Sequence, residues 1–200
     1  MRPLLLALIC MIGIVLATAA SSFGDNSAAD PTNPWQALAT GRHLALMRHA
    51  KAPGIGDPAN FDVEDCATQR NLSARGRAQA RAIGEHFRAQ GIDRARVHSS
   101  QWCRCLETAR LLDLGDVRIS QSLNSFFRDD AARAERTSAA LELIRNQSVD
   151  PSSDRKPLIL VTHQVNITAL TGLFPASGEI IVVKPNAKGL EVVGRIPPPS

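Results

Sequence analysis

Residues 44–51 read LALMRHAK. Leu44 to Met47 have the apolar character of a buried strand, yet the run ends in Arg48 and His49, a guanidinium beside an imidazole. Residues 158–163, LILVTH, repeat the arrangement and end in His163. In α/β sheets the carboxyl edge is where ligands bind, because helix N-termini and loops converge there. Two buried-type strands that each deliver a histidine at that edge predict one site built from distant parts of the chain.

The segments between and around these strands alternate in character. Ser73 is placed to N-cap a helix through Gln90, with Ala80, Ile83, Gly84 and Phe87 on one face and Gly91 ending it. Residues 95–100 read as a strand, 102–114 as a helix, 117–120 as a weak strand and 131–146 as a helix. Residues 157–162 read as a strand, 165–173 as a short helix, and 179–196 as two strands joined by a turn at Pro185–Gly189. Strands alternating with helices predict an α/β fold, a three-layer sandwich with a mostly parallel central sheet flanked by helices.

The chain has 200 residues, 44% hydrophobic and 21% charged, with a net charge of +4. Length and composition predict one globular domain, taken as 35–200. No Lys/Arg run is interleaved with aromatics and Tyr is absent, which argues against a nucleic-acid partner. At the N-terminus, Arg2, the uncharged run 4–16 and Ala17-x-Ala19 form the pattern of a cleaved signal peptide over residues 1–19. An uncleaved anchor is the alternative. Cys10 lacks the preceding small residue of a lipidation site. Residues 20–34, small, polar and Pro-bearing, read as a flexible linker. Cleavage implies an exported, periplasmic protein with no stable membrane association, in an oxidising compartment. Of the remaining cysteines, Cys103 and Cys105 point to different sides of a helix, and Cys66 with Cys103 is the favoured bridge; three reduced thiols are the alternative. No cysteine or histidine pair shows zinc-like spacing with a second pair to complete it.

The residues SSQWCRCLETAR, 99–110, place Arg104 in the first turn of a helix after the 95–98 strand. Arg48, Arg104, His49 and His163 then form a cluster of donors with no carboxylate evident among them. Burying unpaired cations is too costly for a dry core, so the cluster predicts an anion at its centre. Guanidinium forks match phosphate oxygens bidentately.

On these residues the chain resembles the histidine phosphatase (phosphoglycerate mutase-like) superfamily. LMRHA resembles that family's Arg-His-Gly signature, with Ala50 in place of Gly. NLSARGRAQA (71–80) is similar to its Leu-Thr-x-x-Gly-x-x-Gln-Ala segment, SQWCRCLETA (100–109) to its Ser-x-x-x-Arg-x-x-x-Thr-Ala segment, and LVTHQVNI (160–167) to its second-histidine strand. The resemblance implies a phosphoglycerate mutase-like fold and a hydrolase of phosphomonoesters or phosphohistidine. It further implies that His49 is the nucleophile that becomes phosphohistidine, while Arg48, Arg104 and His163 hold the phosphoryl oxygens. A small phosphorylated substrate, a cell-envelope sugar phosphate by likeness to small envelope members, follows as an expectation. So does independence of metal or other cofactor, the arginines neutralising the charge.

One part of the family pattern is missing. Where a general acid is expected the chain reads SLNSFFRDD, with Asn124 and Ser125 in the place of the acid. The candidate proton donors are Glu179, Asp129, Asp62 and Asp65; Asp57 and Glu64 lie in the same loop as the last two and read as surface carboxylates. His43 and His86 read as solvent-facing, His98 as structural, Lys51 and Arg70 as surface cations. Asn166 either lines the pocket or caps a helix. The alternative function is a phosphoanion-binding or regulatory module whose catalysis is weak or lost. A membrane-anchored scaffold requires residues 1–20 to be retained.

Overall fold

The computed structural model describes residues 33–148 and 156–199. The predicted signal peptide and most of the predicted linker lie outside them. The linker's last two residues do not behave as linker: Asn33 caps helix α1 (Pro34–Ala39), its side chain accepting from the Trp35 amide, and Pro34 occupies the first turn. Proline is pre-organised for that position and loses no needed donor there.

The other elements are β1 (Leu44–Arg48), α2 (Ala74–Ala89), β2 (Arg96–Ser99), α3 (Cys103–Leu112), β3 (Val117–Ile119), α4 (Arg133–Ser148), β4 (Leu158–Thr162), α5 (Gln164–Thr171), β5 (Ile180–Asn186) and β6 (Gly189–Ile196). They form one six-stranded sheet in the order β3-β2-β4-β1-β5-β6. The first four strands in that order run parallel, β5 is antiparallel to β1, and β6 is antiparallel to β5. The turn of the hairpin is shorter than its sequence suggests: Pro185 and Asn186 continue β5, and Gly189, at φ 138°, opens β6.

The period-two alternation of the strands builds two cores. Ala45, Met47, Val97, Ile159, Val161, Ile180 and Val182 face α1, α2 and α3, where Leu38, Ile83, Phe87 and Leu112 fill the layer. Leu44, Leu46, Leu158, Leu160, Ile181 and Val183 face Ile144 of α4 and Ile167 of α5. Because β1 and β4 are covered on both sides, they read as continuous apolar runs instead of alternating ones.

β1 and β4 are neighbours, with Arg48 opposite Thr162. His49 and His163 therefore leave the sheet side by side. The ladder continues one step beyond the strands, the His49 amide donating to the Thr162 carbonyl at 3.0 Å. Helix α2 closes in from the side. A Cβ on Gly76 would stand 2.1 Å from the Lys51 carbonyl oxygen, so the glycine is what lets the helix approach the backbone that follows His49.

Candidate active site

His49 is 2% exposed, and its Nδ1 lies 2.7 Å from the carbonyl oxygen of Ala50. A carbonyl only accepts, so Nδ1 carries the proton and Nε2 keeps its lone pair. The backbone that fixes this ring is itself held from two helices. Ala50 N donates to the Thr108 hydroxyl, which in turn donates to the Arg104 carbonyl one turn back in α3. Gln79 of α2 accepts from Lys51 N and donates to Ser177 O.

His163 stands 5.6 Å from His49, centroid to centroid, with the rings steeply inclined. Its Nδ1 lies 3.4 Å from an Arg104 terminal nitrogen and its Nε2 2.9 Å from Ser100 Oγ. Arginine only donates, so Nδ1 accepts and Nε2–H donates to Ser100, whose hydroxyl passes its own proton to Asn124 Oδ1 at 3.2 Å. Asn124 also accepts from Gln101 N and donates to the Gln101 side chain. In the place where an acid was expected, this residue braces the loop after β2. Asn166 donates to the Asn124 carbonyl and does not line the cleft.

Both imidazoles are held neutral. Burial, then the positive field of Arg104, lowers His49 from 6.5 to about 3, and the same two causes lower His163 well below its ordinary value. The consequence for stability has a definite sign. An unfolded His49 takes up a proton near pH 6.5 and the folded one only near 3, so the unfolded state binds more protons between those values. Stability is therefore fully present above about pH 6.5 and lost on acidification, by about 3 kcal/mol at pH 4.5. The melting temperature of the ligand-free protein is expected to fall across this range, and less steeply in His49→Asn. A flat profile in the unmodified protein contradicts a buried neutral imidazole.

Arg48, Arg70 and Arg104 surround the pair. Arg104 is 3% exposed. Arg48 anchors on the Pro175 carbonyl through one terminal nitrogen, at 2.9 Å. The Nε atoms of Arg48 and Arg104 are buried and make no hydrogen bond. Both side chains line the cleft, and guanidinium groups there match a polyoxygenated anion. Arg70, read from sequence as a surface cation, in fact lines the cleft; its guanidinium bonds the carbonyls of Gly56 and Ala52, and its own carbonyl accepts from Arg104. Burial and the neighbouring Arg104 lower Arg70, and burial followed by Arg104 lowers Arg48.

The expectation of a cluster without a carboxylate does not hold. Asp57 binds Arg104 through both oxygens, at 2.6 and 3.1 Å, and also accepts from Trp102 Nε1 at 3.0 Å and Arg70 N at 3.1 Å. Burial raises its carboxyl, but the bonds from Arg104 and Trp102 outweigh that and hold it below its ordinary value. Gly54 and Gly56, at φ 89° and 69°, let the loop double back and present Asp57 to the cleft. A Gly-x-Gly-Asp-Pro sequence, two flexible residues before an acid and a rigid one after it, is the signal that marks this position.

The four proposed proton donors are distributed differently. Asp129 lines the cleft and caps Ala132 N. Asp62 and Asp65 are exposed, accept from Glu64 N and Ala67 N, and lie outside the cleft lining. Glu179 points elsewhere: it pairs with Arg195 at 2.6 Å and accepts from Ala176 N at 2.7 Å. Burial raises its carboxyl, and these bonds lower it below the ordinary value. A carboxylate held ionised by a partner outside the cleft does not deliver protons into it.

His43 is buried, not solvent-facing. Its Nδ1 lies 3.0 Å from the Ala37 carbonyl and 3.2 Å from the Thr40 hydroxyl, tying the end of α1 to the start of β1. His86 and Lys51 are exposed. His98 is buried beside Gln147 of α4 and does not line the cleft. A disulfide joins Cys66 to Cys103, with Cα atoms 5.7 Å apart, and pins the Asp57-bearing loop to the first turn of α3. Cys105 is a free, buried thiol that burial pushes up to about 12. Among the described residues no cluster of metal-ligating side chains is present, and no helix is long and apolar enough to cross a membrane.

Comparison with solved structures finds the same fold. A mycobacterial glucosyl-3-phosphoglycerate phosphatase complexed with VO3 superposes with a TM-score of 0.56 at 17% identity, over 76% of this chain and 98% of that one. The protein histidine phosphatase SixA complexed with tungstate gives 0.52 at 16% identity, over 78% and 96%. A phosphoserine phosphatase mutant from Entamoeba histolytica in complex with phosphoserine gives 0.53 at 12%, over 76% and 95%. No curated protein sequence matches significantly. Residues 44–126, which carry Arg48, His49, Gly76, Gln79, Arg104 and Thr108, match the family model of the histidine phosphatase superfamily, branch 1. That segment lies in a sheet that sets His49 beside His163, and over residues 44–126 the chain is similar to the histidine phosphatase superfamily, branch 1.

Proposed function

We propose that the protein is a phosphomonoesterase that works through a phosphohistidine on His49. The observation that carries this is a neutral His49, its Nδ1–H committed to Ala50 O, in a cleft lined by Arg48 and Arg104. His49 Nε2 attacks phosphorus in line, and the bond to the leaving oxygen breaks with its electron pair. Arg48 and Arg104 stabilise the equatorial oxygens, and His163 steadies the Arg104 guanidinium through Nδ1. Water then attacks phosphorus, and the phosphorus–nitrogen bond breaks with its electron pair returning to Nε2, releasing inorganic phosphate and restoring the imidazole.

Asp57 supplies the proton. It occupies the same guanidinium fork that a phosphoryl group would take, so substrate and carboxylate compete for Arg104. Displacement removes the hydrogen bonds that keep Asp57 ionised and leaves it beside a phosphate dianion, and both changes raise its affinity for a proton. It gives that proton to the leaving oxygen and later takes one from the attacking water.

Asp57→Asn is the test. Turnover of alkyl phosphates, whose leaving oxygen needs a proton, is expected to fall about 10²- to 10³-fold, and that of p-nitrophenyl phosphate less than about tenfold. Inorganic phosphate is expected to bind more tightly to the variant, because its internal competitor has gone. An equal loss for both ester types, with phosphate affinity unchanged, contradicts the assignment. Phosphate or vanadate binding with no turnover of any ester favours the second reading, a phosphoanion-binding module. The proposal extends to an exported, periplasmic protein, supported by the disulfide and by the residue pattern at 1–19.

A further inference from the structure

The chain contains six Phe, two Trp and no Tyr. Five of these eight aromatics, Phe61, Trp102, Phe126, Phe127 and Phe174, line the cleft above His49. Trp35 and Phe87 pack edge to face in the core, and Phe23 lies outside the described residues. Aromatic side chains carry large buried areas and usually dominate cores. Here the core is built mostly from Leu, Ile, Val and Ala, and five of the eight aromatics stand at one cavity.

Their exposure points the same way. Among the described residues the exposed large apolar side chains include Ile55 at 86%, Phe127 at 53% and Phe174 at 68%, all at this cleft. The others, Ile119 and Val192, sit singly on the two edge strands. Scattered exposed apolar residues need no explanation, but three converging on a cationic floor do. Trp102 stacks on Phe61 at 4.9 Å while its Nε1 is bound to Asp57, so this wall is rigid. The cavity measures about 430 Å³, well beyond a phosphoryl group and within the range of sites that take drug-sized ligands. The polar side chains above the floor are Ser125, Arg128, Asp129 and Gln164; three of them also hold local bonds, Ser125 accepting from Phe127 N, Asp129 capping Ala132 N and Gln164 donating to Thr168.

Resting on the phosphatase reading above, we infer that the leaving group is an apolar alcohol. The substrate class is an amphiphilic phosphomonoester, its phosphate at His49 and its hydrocarbon or aromatic body between Phe61 and Trp102 on one side and Phe126, Phe127 and Phe174 on the other. A phosphorylated sugar would bring a row of hydroxyls to walls with few free partners, at a desolvation cost.

Phosphonates test this without needing turnover, because their carbon–phosphorus bond survives in the site. By titration calorimetry on the full protein, hexylphosphonate is expected to bind about 30-fold more tightly than methylphosphonate, from burial of its methylenes. A trihydroxybutylphosphonate is expected to gain no more than about threefold over methylphosphonate. In the double variant Phe127→Ala, Phe174→Ala, both sites being exposed, the hexyl advantage is expected to shrink to about fivefold with methylphosphonate affinity unchanged. Equal affinity for hexyl- and methylphosphonate, or tighter binding of the hydroxylated chain than of the hexyl chain, overturns the inference. A protein that discriminates the phosphonates but hydrolyses no ester keeps this inference and loses the proposed activity. One that hydrolyses esters without regard to the alcohol does the reverse.

Discussion

His49→Asn is expected to lower kcat by at least about 10⁴-fold while leaving vanadate binding within about tenfold of the unmodified protein. Asparagine is close to the imidazole in reach and keeps a donor for the Ala50 carbonyl, so the backbone at the end of β1 loses little support. It has no basic nitrogen to form a bond to phosphorus. What remains is a cleft with Arg48, Arg104 and His163 in place, able to hold an anion but unable to pass through a covalent intermediate. The split between lost turnover and retained binding separates a nucleophile from a merely structural histidine, whose loss would weaken both. Steady-state kinetics on p-nitrophenyl phosphate and vanadate titration read the two quantities separately.

Arg104→Ala produces the opposite pattern, in which binding fails together with catalysis. Arg104 is nearly fully buried, bonds both oxygens of Asp57, contacts His163 and lines the cleft. Its removal takes away the main counter-charge for the phosphoryl group and leaves the partly buried Asp57 without its partner. kcat/KM is expected to fall about 10³-fold or more, and vanadate affinity by at least about 10²-fold. Lysine at this position restores less than about tenfold, since a single ammonium cannot reproduce the fork that grips two oxygens. Circular dichroism of each variant checks that α3 and the sheet persist. Full vanadate affinity in a folded Arg104→Ala protein contradicts the assigned role.

The parts of the molecule most legible in the sequence are those with local causes. β1 and β4 announce themselves as apolar runs because both faces are covered, and α2 by a serine cap, a period of 3.6 and a glycine at φ 76° after its end. His49, His163 and Arg104 are legible because strand ends and helix starts place them. Asp57 and Arg70 are not. They lie in a long stretch with almost no regular structure, whose path is fixed by distant ties: the disulfide to α3, and Gln69 accepting from Cys103 N at 2.9 Å. No periodicity reports on such contacts. The burial of His43 was hidden for a related reason, since it depends on a six-residue helix too short to leave a pattern. Glu179 misled in the other direction. Its backbone carbonyl accepts from Arg48 N beside the site, while Arg195, sixteen residues later on the partner strand of the hairpin, draws its carboxylate away.

The cleft's aromatic lining was open to reading from composition. Four of the five, Phe61, Phe126, Phe127 and Phe174, stand outside the elements read from sequence, Phe126 and Phe127 as an adjacent pair, in a chain that has few aromatics to spare. A loop that carries Phe or Trp where no core strand or helix needs it is a candidate wall of a site.

Covalent labelling tests the central claim most directly. The purified protein is mixed with a labelled phosphoryl donor, quenched in alkali within the first turnover, and digested for mass spectrometry. The account predicts one phosphoryl group on the peptide bearing His49, stable in base and lost in acid, and absent from His49→Asn. Turnover without any such label, or a label on another residue that persists in His49→Asn, contradicts it.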